Sequence, residues 1–265
     1  MRQIIKSILL CLWLSLCGCG GGVERIAVGG GGGGGTQPPA PNIAGNWQLR
    51  LTSTAGTPPA TIAGNIAQSD SSLSGALHLD GSNCFDPANT VGVTGTRSDN
   101  NISLTSTHIA GQVITFTGKI ANNTAVGTYE INGGCADGDQ GSIEGFKIPV
   151  LTGGWRGRTN ISDQLGDLII SLSQGSANAD GSFGLSGTTT KTTYPVCEEG
   201  TIASGTLTTT GSWIIGTRVF LQIQTANGRV DFSGTADQAG FPITGGLHYV
   251  GGPCDGLLGE ATFRR

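Results

Sequence analysis

The chain has 265 residues, a formal net charge of −4 and only 12% charged residues, and 47 of its residues are glycine. No basic stripe is present to hold a phosphate backbone, which argues against nucleic acid as a partner. Few charges and abundant glycine suit a β-protein of many short strands and turns.

Arg2 and Lys6 precede an apolar run from Ile8 to Leu16. This is the layout of a secretory signal, and the run is too short to cross a bilayer as a helix. Leu16-Cys17-Gly18-Cys19 follows. It resembles the lipobox of bacterial lipoproteins, in which a cysteine is acylated and becomes the new N-terminus. The resemblance implies a cleaved leader over 1–18 and lipidation, palmitate included, at Cys19, with Cys17 as a second candidate. An ordinary signal peptidase prefers a small residue where Leu16 stands. Gly20, rather than Asp, after Cys19 implies the outer membrane, on its periplasmic or surface face. Each buried methylene contributes roughly 0.8 kcal/mol, so two or more acyl chains hold a soluble domain durably. Loss of Arg2 and Lys6 with the leader leaves 12 basic against 18 acidic residues, a net −6.

Residues 19–42 read as a tether. Gly29 to Gly35 is unbroken glycine, and Thr36-Gln37-Pro38-Pro39-Ala40-Pro41 follows. About twenty such residues reach on the order of 25 Å.

Beyond Asn42 the chain repeats. Gly45-Asn46-Trp47 matches Gly153-Gly154-Trp155, and Leu73-Ser74-Gly75 matches Leu185-Ser186-Gly187. Cys84-Phe85-Asp86 matches Cys197-Glu198-Glu199. Val113 and Phe116 before Gly118 match Val230 and Phe232 before Gly234. Gly133-Gly134-Cys135 matches Gly251-Gly252-Pro253-Cys254. The offset grows slowly along the chain, as small loop insertions require. Two domains of ordinary size follow, 43–150 and 151–265.

The repeat selects a cysteine pairing. Cys84, Cys135, Cys197 and Cys254 lie outside the leader and tether. An even number in an exported chain predicts disulfides, and one per domain gives Cys84–Cys135 and Cys197–Cys254. Each loop closure is worth roughly 4 kcal/mol in the chain-entropy model.

Period-2 patterns predict eight strands per domain. They lie near 45–53, 60–68, 72–79, 91–97, 100–107, 112–120, 124–131 and 141–148. The second set is 153–161, 166–173, 181–190, 201–208, 212–216, two within 218–235, 242–250 and 256–263. Short connections predict antiparallel neighbours. Eight short strands hide their edges by closing into an up-and-down barrel; a two-sheet sandwich is the alternative. The fold class expected is therefore all-β, with two tandem small barrels.

Gly45-Asn46-Trp47 and Gly153-Gly154-Trp155 resemble the first-strand motif of the calycins, the lipocalin and avidin group. Asp180-Gly181-Ser182-Phe183-Gly184-Leu185-Ser186-Gly187 extends the likeness to avidin-type openings. The resemblance implies that Trp47 and Trp155 each plug one barrel end. It covers about 45 residues of each unit and has departures. Leu49 and Gly157 stand where avidins carry a biotin-binding Asn, and the lipocalin Thr-Asp-Tyr motif is absent, so no binding residues carry over.

Enzyme signatures are missing: there is no GxSxG, HExxH or Walker-type sequence. His78 and His108 are placed in strands among Ser and Thr, and His248 beside Tyr249; surface roles are expected for all three. No CxxC occurs, so neither a metal nor another cofactor is expected. Asp86, Asp137, Asp139, Glu198, Glu199 and Asp255 lie beside the cysteines and are expected in solvated turns at one barrel end. Glu144 is in phase with Phe146 and Ile148 and is expected to face inward, opposite Gly259 of the second unit. The inward sets mix Ile, Phe and Leu with Gly and Thr, which predicts narrow, mostly filled barrels.

The functional expectation is a non-enzymatic, lipid-anchored envelope protein of interaction or structural role. The alternative is a lipoprotein whose barrels bind small apolar ligands. A membrane is the implied partner through the anchor, with a protein or an apolar molecule beside it.

Overall fold

The computed structural model describes residues 42–56, 60–81, 83–85, 90–161, 164–191, 204–207, 211–226 and 228–265. The leader, Cys19, most of the tether, Asp86, Cys197, Glu198 and Glu199 lie outside them. Among the described residues no helix is long and apolar enough to cross a membrane.

The first barrel is built from β1 (Gly45–Ser53), β2 (Ala60–Ser69), β3 (Ser72–Asp80), β4 (Thr90–Ser98), β5 (Asn101–Ser106), β6 (Val113–Ala121), β7 (Thr124–Asn132) and β8 (Gln140–Lys147). Every neighbour is antiparallel and consecutive, and β8 pairs with β1 to close the ring. The predicted strands stand within two residues of these bounds. Closure removes every open edge, which is how so short a set of strands persists.

The second unit comprises β9 (Gly153–Ile161), β10 (Gln164–Ala177), β11 (Phe183–Lys191), β12 (Ser204–Leu207), β13 (Trp213–Ile215), β14 (Arg218–Thr225), β15 (Gly228–Ala236), β16 (Ile243–Val250) and β17 (Leu258–Arg264). A one-turn 3₁₀ segment spans Gly252–Cys254. β12 and β13 share one place, since both pair with β11 and with β14. β17 pairs with β9, and β10 with β11, so this sheet is also an eight-place closed barrel.

Alternation decides the interior. Trp47, Leu49 and Leu51 of β1 face in, as do Ile114, Phe116 and Ile120 of β6, all buried. Leu168, Ile170 and Leu172 of β10 and Ile243, Leu247 and Tyr249 of β16 do the same in the second barrel. Pairing registers equate Ile114, rather than Val113, with Val230, because Ile114–Ile131 and Val230–Tyr249 are matching pairs.

The two interiors are variants of one packing. In the first, Leu49 of β1 lies opposite Gly145 of β8. In the second, Gly157 of β9 lies opposite Phe263 of β17. The bulk has changed strands while the shared volume stays filled: a Cβ on Gly145 would strike Leu49, and one on Gly157 would strike the Phe263 ring. Phe263 stands edge-on to Phe232 at 5.1 Å.

The ends of the first barrel differ. Two-residue turns join β2–β3, β4–β5 and β6–β7. Asp70, Asp99, Asn122 and Asn123 take positive φ there, as tight hairpins require. Longer connections join the strands at the opposite end, and the disulfide lies among them.

One end of the second barrel packs on the side of the first. Asn46 is 3% exposed and grips Gly216 twice. Its amide donates to the Gly216 carbonyl at 2.9 Å and its oxygen accepts the Gly216 N–H at 2.7 Å. Gln48 accepts the Thr217 N–H at 3.1 Å, and Arg218 pairs with Asp80 at 3.5 Å. Gly216 has φ 52° and a Cβ there would overlap Gln48 and Ala63, so the approach requires glycine. Ile148 belongs to the core of the second barrel, and the half-buried Phe146 packs against it.

That packing corrects two expectations. The Phe146 face of β8 is outward, so Glu144 is exposed rather than inside the barrel. Its counterpart is Thr262, since Gly259 takes the place of Gly141.

Candidate functional site

The predicted tryptophans close equivalent ends. Trp47 and Trp155 are each 1% exposed. Ile43 and Leu151 enter beside them, and each backbone N–H is held by a glutamine side chain, Gln68 at 3.0 Å and Gln174 at 2.9 Å. Arg265 lies over the Trp155 ring at 5.3 Å, and its guanidinium donates to the Thr152 carbonyl. Lys147 occupies the equivalent place beside Trp47, donating to the Asn42 carbonyl at 3.4 Å. Burial pushes the Lys147 ammonium pKa down. Gln68 and Gln174 were not singled out in the sequence, although Ile66-Ala67-Gln68 against Leu172-Ser173-Gln174 carries the signal.

One difference separates the two plugs. Trp47 Nε1 donates to the Ile43 carbonyl at 2.7 Å. Trp155 Nε1 is buried without a hydrogen-bond partner among the described residues.

The opposite end of the first barrel holds a cavity of about 440 Å³. Leu51, Ala60, Leu79, Phe85, Ile114 and Ile131 form its apolar wall, and Cys84, Cys135, Asp137 and Asp139 stand toward its mouth. At the Trp47 end the remaining space is only about 20 Å³. The expected narrow, filled barrel is therefore half right: the plug end is packed and the disulfide end is open.

Cys84 and Cys135 form the predicted disulfide, with a Cα separation of 5.6 Å and a sequence separation of 51. Cys254 is also disulfide-bonded, and Cys197, its predicted partner, lies outside the described residues. The bridge ties the loop after β3 to the loop before β8, both at the cavity mouth. Gln112, fully buried, adds a second tie: it donates to the Cys84 carbonyl at 3.3 Å and accepts the Ala136 N–H at 2.8 Å.

The mouth loops repeat in detail. Asp137 accepts the Gly133 N–H at 2.6 Å, and Asp255 accepts the Gly251 N–H at 2.7 Å. Gly138 and Gly256 donate to the Ile131 and Tyr249 carbonyls at 2.9 and 3.0 Å. Both aspartates thus have a turn-fixing task, as the sequence suggested.

Asp139 does something else. Its Oδ1 accepts from Ser53 Oγ at 2.5 Å, and its Oδ2 accepts from the Tyr129 hydroxyl at 3.0 Å. Ser53 ends β1, Tyr129 is in β7, and Gly141 of β8 lies between them in the ladder. Burial, with the hydrogen bond and negative charge of Asp139, pushes the Tyr129 hydroxyl up to about 12. It remains a donor at any ordinary pH.

The second barrel replaces this set. Matching registers equate Ser53 with Ile161, and Tyr129 with Leu247. The matching loop bonds equate Asp139 with Leu257. All three replacements are apolar and belong to, or pack on, the second core. Residues 192–203, which follow β11 as 81–89 follow β3, lie outside the described residues.

The histidines stand apart from the cavity. His78 lies outward on β3, with Nε2 at 3.1 Å from Thr90 Oγ1. His108 is exposed beyond the end of β5 rather than within a strand, and His248 is exposed on β16. His78 faces Asp180 of the second barrel. Asp180 is held below the usual carboxylate pKa: burial raises it, but hydrogen bonds from Ser182 and the charge of His78 outweigh burial. Among the described residues no group of His, Cys, Asp and Glu has the arrangement of a metal site.

No protein-family model, curated protein or solved structure matches this chain. The fold and the repeat define a pair of eight-stranded antiparallel barrels, consistent with the calycin resemblance of the two Gly-x-Trp motifs.

Proposed function

We propose that this chain is a lipid-anchored protein of the bacterial envelope, a tandem of calycin-type barrels. The first barrel binds one small, largely apolar molecule, and the second is a support docked against it. The 440 Å³ cavity carries this reading. It falls within the usual range for small-molecule sites, and its apolar wall with a few convergent polar groups is their usual character. The lipobox resemblance at Cys19 and the glycine tract support the anchor and its outer-membrane address. The proposed role is binding: Asp139 is held by Ser53 and Tyr129, and no histidine among the described residues lines the cavity.

An interaction role for the pair is the second reading, favoured by the buried Asn46–Gly216 contact that joins the barrels. Expression of the full chain with labelled palmitate tests the anchor. Label and membrane association are expected in the wild type and lost in Cys19→Ser; a labelled Cys19→Ser protein would move the anchor to Cys17. Organic extraction of the purified protein, followed by mass spectrometry, tests the cavity. One co-purifying small molecule is expected, and its loss on Ile114→Trp assigns it to the first barrel.

A further inference from the structure

The duplication provides an internal control for what the open cavity recognises. At three matched positions the second barrel carries Ile161, Leu247 and Leu257, and the first carries Ser53, Tyr129 and Asp139. The polar set is therefore not required by the fold.

The chemistry of that set is one-sided. Asp139 offers about four acceptor sites when ionised, and Ser53 and Tyr129 occupy two. Both hydroxyl protons point at the carboxylate, so the group as a whole still accepts. The remaining ionisable carboxylate of the wall is Asp137, and no Lys, Arg or His lines the cavity among the described residues. No cation is paired with Asp139 there. An anionic head group would meet two carboxylates with no counter-charge. A protonated amine would meet a fixed acceptor at the rim of an apolar chamber, where low dielectric strengthens the contact.

We propose that the first barrel selects small amphipathic amines, with the ammonium hydrogen-bonded to Asp139 and the hydrocarbon body inside the Leu51–Leu79–Ile114 wall. This deepens the binding reading above and rests on it. Tyr129 and Ser53 act as positioning residues, holding the carboxylate oriented through their own hydrogen bonds. The chamber has the volume of about fifteen waters at 30 Å³ each, which suits a body of one or two rings or a medium alkyl chain.

The test uses the full chain and three probes of equal length: decylamine, decanol and decanoate. Each displaces the neutral fluorophore N-phenyl-1-naphthylamine at pH 7. The expected order is amine, alcohol, acid, with at least about a tenfold gap between amine and acid. Asp139→Asn should weaken the amine by about tenfold, leave the alcohol within about twofold and abolish the order. Tyr129→Phe, which keeps the charge, should retain the order with a smaller gap. Equal binding of all three probes, or a preference for decanoate, overturns the amine assignment while leaving the cavity reading intact. Failure of the fluorophore and all three probes to bind overturns the cavity reading itself. Cooperative melting of both variants separates either result from misfolding.

Discussion

Replacing Tyr129 by Phe removes one oxygen from the mouth of the first barrel and should change how stability depends on alkaline pH. Tyr129 is 4% exposed, and its hydroxyl donates to Asp139 at 3.0 Å. Burial first, then Asp139, raises its pKa from 10.0 to about 12. A group whose pKa is raised on folding contributes stability that is fully present below its unfolded value. That stability is lost as pH rises through the folded value, because the unfolded chain releases the proton first. The window is therefore about pH 10 to 12. One unit corresponds to about 1.4 kcal/mol, so a rise of about two units sets a loss of roughly 2–3 kcal/mol across that window. Urea unfolding of wild type and Tyr129→Phe at pH 8, 10 and 11.5 reads it directly. Lysine titration is common to both proteins and cancels in the difference. The variant should be less stable at pH 8, and the gap should close toward pH 11.5. A gap that stays constant across the series would refute the buried tyrosine–carboxylate contact.

Four further outcomes are expected. Trp47→Ala and Trp155→Ala should each cost about 3–5 kcal/mol as core aromatic deletions. The Phe variants should differ: Trp47→Phe leaves the Ile43 carbonyl without its donor and costs about 1–3 kcal/mol more than Trp155→Phe, whose Nε1 has no partner to lose; thermal melting decides. Asn46→Ala strands the Gly216 N–H and carbonyl at about 1–3 kcal/mol each, and should split a single melting transition into two as the barrels separate. Asp180 has a lowered pKa, so its contribution is present above about pH 4 and lost as pH falls below it; the melting difference between wild type and Asp180→Ala should vanish toward pH 3. Peptide mapping without reductant should recover Cys84 linked to Cys135, and Cys84→Ser should cost about 4 kcal/mol.

The strands were legible because closed antiparallel sheets print a period of two, and because the repeat allowed each reading to be checked against its twin. Ile114, Phe116 and Ile120 carry that pattern with threonines between them, and the structure buries all three. The pairing of Cys84 with Cys135 followed from the same duplication. Glu144 was misread because alternation fixes which residues share a face and is silent on which face is inside. Phe146 is apolar for the sake of the second barrel, and that docking has no local signature.

The cavity was also hidden. Its wall has the same residue types as the packed end of the barrel. Its mouth carries Ser53, Tyr129 and Asp139 where the second barrel has Ile161, Leu247 and Leu257. These positions lie scattered over two strands and a loop, and only the pairing registers reveal them as equivalents. Asp139 could not be distinguished from Asp137 by sequence, although Asp137 ties a turn and Asp139 faces the chamber.

The binding site of the pair is proposed to be the first barrel. A fluorescence titration of the full chain with N-phenyl-1-naphthylamine tests it most directly, run beside the triple variant Ser53→Ile, Tyr129→Leu, Asp139→Leu, which gives the first barrel the residues of the second. Saturation at one equivalent per chain is expected in the wild type, with loss of that binding in a triple variant that still melts cooperatively. Two equivalents per chain, no binding by the wild type, or undiminished binding by the triple variant would contradict it.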